Sequence, residues 1–284
     1  MKELSKRIIV AVIGIPIALL LMYCGGIAFF IAIVIVSAGA LYEFYKISEK
    51  KGISLQIYPG IALGIIYQAG SWLLWQRQLY PELFVFTFFF LLISVLAILI
   101  ISFHKTEGSI FSISVSLAGI LYLPVLLTSL IFIRGWHLLP LETGIDKLSS
   151  GAIVFALFVS VWVCDSAAYF GGKALGRHKL FERISPKKTW EGAAFGFLGA
   201  LISFPLITHF AFGTLGLIEA AGAGAIIGII GQVGDLAESQ FKRDAGVKDS
   251  SHIFPGHGGF LDRFDSILFA SPALLIYLAA IYFL

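Results

Sequence analysis

Long apolar runs, separated by short polar or glycine-containing segments, make up most of the chain. In hydrocarbon a segment must satisfy its own backbone N–H and C=O groups, so such runs form helices, and about 20 residues cross the hydrocarbon core. The pattern predicts nine membrane spans, over residues 8–24, 26–46, 58–75, 83–103, 113–133, 150–172, 192–212, 215–237 and 267–284. The predicted fold class is an all-α, polytopic transmembrane helical bundle.

The composition agrees with this prediction, because 58% of the 284 residues are hydrophobic and only 13% are charged. A soluble domain is about one-quarter charged. We predict a single integral membrane domain over residues 1–284, in which residues 1–145 are mainly scaffold spans and residues 150–284 hold the catalytic spans and loops. The apolar run Ile8–Tyr23 follows a basic start and is interpreted as an uncleaved first span.

The basic residues give an orientation to the nine spans. All but three of the 20 lysines and arginines fall in segments on one side, and only Arg77, Arg134 and Lys147 fall on the other. Basic residues are retained in cytoplasmic loops. The sequence therefore predicts a multi-pass protein of the inner membrane with its N-terminus in the cytoplasm, its C-terminus outside and its active site at the cytoplasmic face.

The acidic residues point to the working half of the chain. Six of the seven aspartates lie between Asp165, inside the sixth predicted span, and Asp265. A carboxylate in the bilayer costs a few kcal/mol or more unless it faces protein, water or a metal. Asp165 and Asp235 are therefore functional candidates, with a buried ion pair as the structural alternative. Glu43 and Glu219 lie near span ends and are predicted to reach the interface.

Polar residues near the end of the eighth span share one helix face. Asp235, Glu238, Ser239 and Lys242 follow each other at spacings of three and four. A polar loop that ends in PGHGG comes next, and then Asp262, Arg263 and Asp265. Carboxylates with little sulfur or histidine suit Mg²⁺, which is held by one or two carboxylates together with substrate phosphates. The pattern predicts a metal-dependent site for a phosphate-bearing substrate.

A second basic cluster lies between the sixth and seventh spans. It ends in the compact run SPKKTWEG, from Ser185 to Gly192. Such a cluster could serve only to orient the protein in the membrane, or it could bind phosphate. The chain has no GxxxxGK[ST] phosphate loop, which excludes a P-loop nucleotidase at the level of motifs.

The segment from Ser239 to Asp265, SQFKRDAGVKDSSHIFPGHGGFLDRFD, resembles the hallmark sequence of the phosphatidate cytidylyltransferases, also called CDP-diacylglycerol synthases. Asp165, Tyr169 and Gly172, together with the SPKKTWEG run, are similar to other recurring blocks of that family. The resemblance is strong over about residues 160–270. It rests chiefly on polar and glycine positions at the family's spacing, which are Ser239, Lys242, Arg243, Lys248, Asp249, Pro255, His257, Gly258, Gly259, Asp262, Arg263 and Asp265.

The resemblance implies that CTP and phosphatidic acid in the bilayer react to give CDP-diacylglycerol and pyrophosphate, and that nucleic acid is not a partner. A phosphomonoester is largely ionised near neutral pH. The reaction therefore needs neutralisation of charge and alignment of two anions more than it needs a general base.

Residue roles also follow from the resemblance. We predict that Asp235 and Asp262, with Asp265 near by, bind one or two Mg²⁺ ions. The remaining catalytic residues are predicted to be Lys248, Arg263 and His257. The residues predicted to bind substrate are Asp165, Lys187, Lys188, Ser239, Lys242, Arg243, Gly258 and Gly259.

Other functions stay open at this point. A cytidylyltransferase or CTP-dependent kinase for another lipid would use similar residues, and a proton-coupled transporter would also place acids in spans. Gly224 and Gly228 in the eighth span have the GxxxG spacing that lets helix backbones approach closely. That face could join two spans of one chain or two chains of a homodimer.

Overall fold

The computed structural model describes residues 2–103, 108–139, 146–254, 256 and 258–283. Within them the chain forms nine long helices, one for each predicted span. They are α1 (Lys2–Cys24), α2 (Gly26–Glu49), α3 (Ile57–Gln76), α4 (Tyr80–Ser102), α5 (Ser109–Arg134), α6 (Lys147–Leu175), α7 (Trp190–Ala211), α8 (Leu217–Asp244) and α9 (Phe260–Phe283). Helices α2 to α9 are long and apolar enough to cross a membrane, and the described apolar part of α1 is Gly14–Cys24.

The predicted all-α membrane bundle is therefore confirmed, whereas the orientation of its termini stays a prediction. The division into scaffold and catalytic parts also stays a prediction.

A small β-hairpin joins α6 to α7, and the search for apolar runs did not predict it. Strand β1 (Lys179–Phe181) pairs antiparallel with β2 (Ser185–Thr189), with Phe181 opposite Ser185. Thr189 then starts α7, because its Oγ1 accepts a hydrogen bond of 3.1 Å from the N–H of Gly192. Such a side-chain cap satisfies a backbone donor at the start of a helix. The SPKKTWEG run is thus one strand followed by a capped helix start.

Two helices contain π-helical turns beside prolines. The turn Leu121–Val125 of α5 includes Pro124, and the turn Leu206–Ala211 of α7 follows Pro205. Proline lacks a backbone N–H and cannot continue the regular ladder of hydrogen bonds. At Pro124 the distortion therefore takes the form of a π-helical turn within a continuous span.

Helix α8 lies between α7 and α9 and uses glycines on both faces. A Cβ added to Gly224 would lie 2.8 Å from the carbonyl oxygen of Ala200 on α7. On the other face, a Cβ added to Gly234 would lie 2.5 Å from the carbonyl oxygen of Asp265 on α9. Glycine permits this close approach of backbones. The GxxxG face therefore packs within one chain, and Gly234 brings Asp235 close to Asp265.

A buried arginine holds the end of α1 against the bundle. Arg134, which is 3% exposed, donates from Nε to the carbonyl oxygen of Met22 (2.7 Å) and from Nη2 to that of Tyr23 (2.9 Å). The last carbonyls of a helix have no partner within the helix, and a basic side chain can supply one. Arg134 thereby fixes the Met22 end of α1.

Candidate active site

A cavity of about 1020 Å³ lies between α1, α2, α6, the hairpin, α7, α8 and α9. Seven of the predicted site residues line it, and they come from four separate parts of the chain. These residues are Asp165, Lys187, Lys188, Asp235, Asp262, Arg263 and Asp265. The tertiary structure therefore gathers the acids and bases of the carboxyl-terminal half around one space.

Other predicted residues lie outside the cavity wall. Ser239, Lys242, Gly258 and Gly259 do not line it. Arg243 is exposed in the last turn of α8, and Lys248 is exposed on the loop between α8 and α9. The guanidinium of Arg243 donates to the carbonyl oxygen of Val247 at 2.9 Å. His257 lies outside the described residues. The roles assigned to these residues stay predictions.

Three carboxylates converge at the inner wall of the cavity. Asp235, Glu238 and Asp265 can each offer one oxygen, and these oxygens all lie within 4.8 Å of one another. Asp235 and Glu238 are three residues apart on α8, and Asp265 faces them across the close contact at Gly234. The Oε1 atom of Glu238 is buried and has no hydrogen-bond partner among the described residues. A buried oxygen without a donor is uncommon, and a cation among the three carboxylates would satisfy it.

Lys242 forms ion pairs with two acids, Glu238 of this cluster and Asp262 of α9. Its Nζ lies 2.6 Å from Oε2 of Glu238 and 2.6 Å from Oδ1 of Asp262. Lys242 is 9% exposed, and Glu238 is fully buried. Since a buried charge is costly unless it is paired, the lysine supplies a positive charge to both carboxyl groups. The direct substrate contact predicted for Lys242 remains untested.

Asp262 also organises the loop that precedes α9. Its Oδ2 accepts hydrogen bonds from the backbone N–H of Ser250 (2.9 Å), the hydroxyl of Ser250 (2.8 Å) and the backbone N–H of Gly259 (2.8 Å). With Lys242 on Oδ1, both carboxylate oxygens have partners. These contacts favour Asp262 as the residue that shapes the loop. Its predicted role as a metal ligand stays a prediction.

Glu43 is a site residue that sequence reasoning did not identify. It is 1% exposed, so the expectation that it would reach the interface is wrong. Its carboxylate accepts from the backbone N–H groups of Phe260 (3.0 Å) and Leu261 (2.9 Å) at the start of α9. It also accepts from the hydroxyls of Ser250 (2.8 Å) and Ser251 (2.6 Å).

These contacts have a clear physical cause. The first N–H groups of a helix lack partners within it, and the helix dipole favours a negative charge at that end. A Cβ at Gly259 would overlap the Glu43 carboxylate, so this position requires glycine. The only sequence signal for this role was an acid in an otherwise apolar span of the scaffold half.

The hairpin brings its lysines to the opposite wall of the cavity. The Nζ atom of Lys188 lies 2.6 Å from Oδ2 of Asp235, and Lys187 lines the cavity beside it. The hairpin is fixed at its base, where Glu191 accepts from the backbone N–H groups of Arg177 (3.1 Å) and His178 (3.3 Å). The basic run is therefore ordered beside Asp235 at the cavity wall, and its role in binding phosphate stays a prediction.

The far part of the same cavity is apolar. Its wall there comes from α1, α2 and the Phe158–Trp162 part of α6, and it includes Met22, Phe29 and Ile33. One cavity thus offers charges to a polar headgroup and hydrocarbon to an apolar chain. The fold and this site define an integral membrane protein built to act on an amphipathic, phosphate-bearing substrate.

Comparison with known proteins places the chain in a family. The chain belongs to the Cytidylyltransferase family, whose family model matches residues 5–281. Membership makes it a nucleotidyltransferase, an enzyme that uses CTP and a lipid substrate. This agrees with the resemblance seen in the Ser239–Asp265 segment.

Curated relatives are similar over nearly the whole length. The chain is 36% identical to a protein of Synechocystis sp., with 94% of each chain covered. It is 35% identical to a protein of Staphylococcus saprophyticus (98% of this chain and 100% of the relative) and 32% identical to one of Bacillus subtilis (98% and 99%). All three relatives are named phosphatidate cytidylyltransferase.

Proposed function

We propose that this protein is a phosphatidate cytidylyltransferase, which makes CDP-diacylglycerol and pyrophosphate from CTP and phosphatidic acid in phospholipid synthesis. The observation that carries the proposal is the single cavity in which Asp235, Asp265, Lys188 and Arg263 stand next to apolar walls. The names of the relatives, which match along nearly the full chain, support the same substrates.

In this reaction an oxygen of the lipid phosphate attacks the α-phosphorus of CTP. A new P–O bond forms, the bond from the α-phosphorus to the bridging oxygen breaks, and pyrophosphate leaves. Lys187, Lys188 and Arg263 line the cavity and supply positive charge to the two anions that must meet. Positioning and charge neutralisation are the main contributions of a protein to phosphoryl transfer.

We further propose that the site binds Mg²⁺ through Asp235, Glu238 and Asp265. The donor set fits this ion, because all three ligands are carboxylate oxygens. When bound, a divalent cation neutralises phosphate charge and orients the phosphates. Lys242 holds Glu238 in place for this purpose. Asp262 holds the loop before α9, and Arg263 reaches the cavity from the first turn of α9.

The orientation in the membrane is also a proposal. The acid-bearing end of the bundle is placed at the cytoplasmic face of the inner membrane, since nearly all lysines and arginines lie on that side. Labelling of single cysteines in the hairpin and in the α3–α4 connection, in intact cells and in inverted vesicles, tests this. Reaction of the α3–α4 cysteine only in inverted vesicles would overturn the orientation.

A homodimer remains a proposal without a specific face, because the GxxxG face of α8 is used within the chain. Its test is the mass of the purified protein in detergent.

The function is tested with purified protein in mixed micelles containing phosphatidic acid, labelled CTP and Mg²⁺. The expected result is metal-dependent formation of CDP-diacylglycerol and pyrophosphate, lost with EDTA and with Asp235→Asn or Asp265→Asn. A lipid kinase would instead release CDP and no pyrophosphate. Folded protein that makes no liponucleotide from phosphatidic acid, but makes one from another lipid phosphate, would overturn the proposed substrate.

A further inference from the structure

The apolar part of the large cavity has a defined shape and a closed end. Along α6 the wall runs from Lys173 through Asp165 to Phe158. The seven residues from Asp165 to Phe158 correspond to about 10 Å of helix rise. The polar headgroup end and the apolar arm are thus parts of one continuous cavity.

Helices α1 and α2 form the other side of this arm. The arm follows α1 from Gly14 to Met22, eight residues or about 12 Å of helix. Met22 and Phe29 are each 4% exposed and close its far end. The opposite end is open, since a Cβ added to Gly14 would meet no atom within 4 Å.

A second, smaller cavity lies beyond this closed end. Its volume is about 240 Å³, and it is lined by Leu148, Ala152 and Phe155 of α6 together with part of α1. Among the described residues, Met22 is the one that lines both cavities. Its backbone is fixed by Arg134, and its flexible side chain borders both spaces.

We propose that the arm binds one acyl chain of the lipid substrate and that Met22 and Ala32 set the chain length it accepts. This inference rests on the proposed function and names the part of the substrate that determines specificity. An acyl chain is the occupant because the arm is apolar and begins where acids and bases hold the phosphate headgroup. Each methylene group buried there strengthens binding about fourfold, so the length of the arm determines how much of a long chain contributes.

The chain offers a matched pair of variants to test this. Ala32 lines the arm on α2, one turn from Phe29, whereas Ala28 on the same helix is exposed and lies outside the cavity. Ala32→Leu is expected to lower kcat/KM for dipalmitoyl phosphatidic acid about tenfold, the loss of roughly two buried methylene groups. The value for dibutanoyl phosphatidic acid, whose chains are much shorter than the arm, and the KM for CTP should stay close to wild type. Ala28→Leu should change none of these quantities.

Two further variants keep the test independent of any folding defect at Ala32. Met22→Ala joins the two cavities and is expected to raise the preference for long over short chains. Gly14→Leu adds a side chain at the open end, where a Cβ would meet no atom within 4 Å, and is expected to raise the KM for phosphatidic acid alone.

The outcomes separate the two proposals. If wild-type protein makes no CDP-diacylglycerol from any phosphatidic acid, the proposed function fails. If wild type is active but the ratio of long-chain to short-chain activity is the same in wild type, Ala32→Leu and Met22→Ala, the acyl-chain inference is overturned and the function stands. Equal changes in Ala32→Leu and Ala28→Leu would also overturn it.

Discussion

Lys188 on the hairpin forms an ion pair with Asp235 on α8, with 2.6 Å between Nζ of the lysine and Oδ2 of the aspartate. The pair connects the SPKKTWEG run with the helix in which the Ser239–Asp265 segment begins. It also places a competing cation on a carboxylate that we propose as a metal ligand. We expect Lys188 to release Asp235 and bind phosphate when CTP and metal enter.

Lys188→Met should therefore have two opposite effects. The KM for CTP is expected to rise about tenfold, because a hydrogen bond to a charged group contributes about 1.5–3 kcal/mol. The Mg²⁺ concentration for half-maximal activity should fall, since Asp235 loses its competing cation. Steady-state kinetics over a range of CTP and Mg²⁺ concentrations measures both quantities.

Arg183→Met is the control for this prediction, because Arg183 is exposed on the same hairpin and does not line the cavity. An equal rise in the KM for CTP in both variants would mean that the hairpin acts only through its overall charge.

The buried pair of Glu238 and Lys242 should be required for stability as well as activity. Lys242→Met leaves Glu238 buried without its cation and is expected to lower the free energy of unfolding by about 3–5 kcal/mol. The double variant Glu238→Gln/Lys242→Met removes both charges of this pair and should recover part of that stability, since Asp262 still lacks its cation, but little activity. Thermal denaturation in detergent and the CDP-diacylglycerol assay measure the two properties. A double variant as unstable as Lys242→Met alone would contradict this account.

Gly259 and Glu43 should show compensation, because a Cβ at Gly259 would overlap the Glu43 carboxylate. Gly259→Ala is expected to lower kcat about tenfold. The added methyl group displaces the Glu43 carboxylate, and the start of α9, which positions Asp262 and Arg263, then loses its hydrogen-bond acceptor. Glu43→Asp shortens the side chain, and in the Gly259→Ala background it should restore part of the activity.

Ser251→Ala is the control for the Glu43 prediction. It removes one of the four donors to Glu43 and leaves both α9 backbone donors in place. Only a small loss of activity is expected. A loss as large as that of Gly259→Ala would indicate that Ser251 has a role of its own.

The glycine contact between α7 and α8 predicts a stability effect within the monomer. Gly224→Ala would place a methyl group 2.8 Å from the carbonyl oxygen of Ala200, which is backbone and cannot move aside easily. We expect a lower thermal midpoint with no change in the mass of the detergent-solubilised particle. Gly14→Ala is the matched control, because its methyl group would meet open space. A change in particle mass with an unchanged midpoint would instead place Gly224 at an interface between chains.

Much of the fold could be predicted from the sequence because hydrocarbon leaves the backbone few alternatives. Apolar runs of sufficient length become helices wherever they occur, so nine runs gave nine helices. The hairpin Lys179–Thr189 was not predicted, since its strands are short and mostly polar. It is defined by the pairing of Lys179 with Thr189 and of Phe181 with Ser185.

The sequence by itself determined the class of the protein, the family and the segment that holds the chemistry. The spacing within Ser239–Asp265 is local information, and a family resemblance needs nothing more. The sequence also predicted that Asp235 and Glu238 share one helix face, because helix periodicity is local information as well.

Only the tertiary structure decided which acids meet. Glu238 lies beside Asp235 and Asp265. Asp262 binds the loop that precedes α9. Glu43 contacts the start of α9 although it lies more than 200 residues away in the chain. These outcomes depend on how closely helices approach at Gly234 and Gly259, and on which buried donors lack partners. Both are properties of contacts between distant segments, which one-dimensional spacing does not contain.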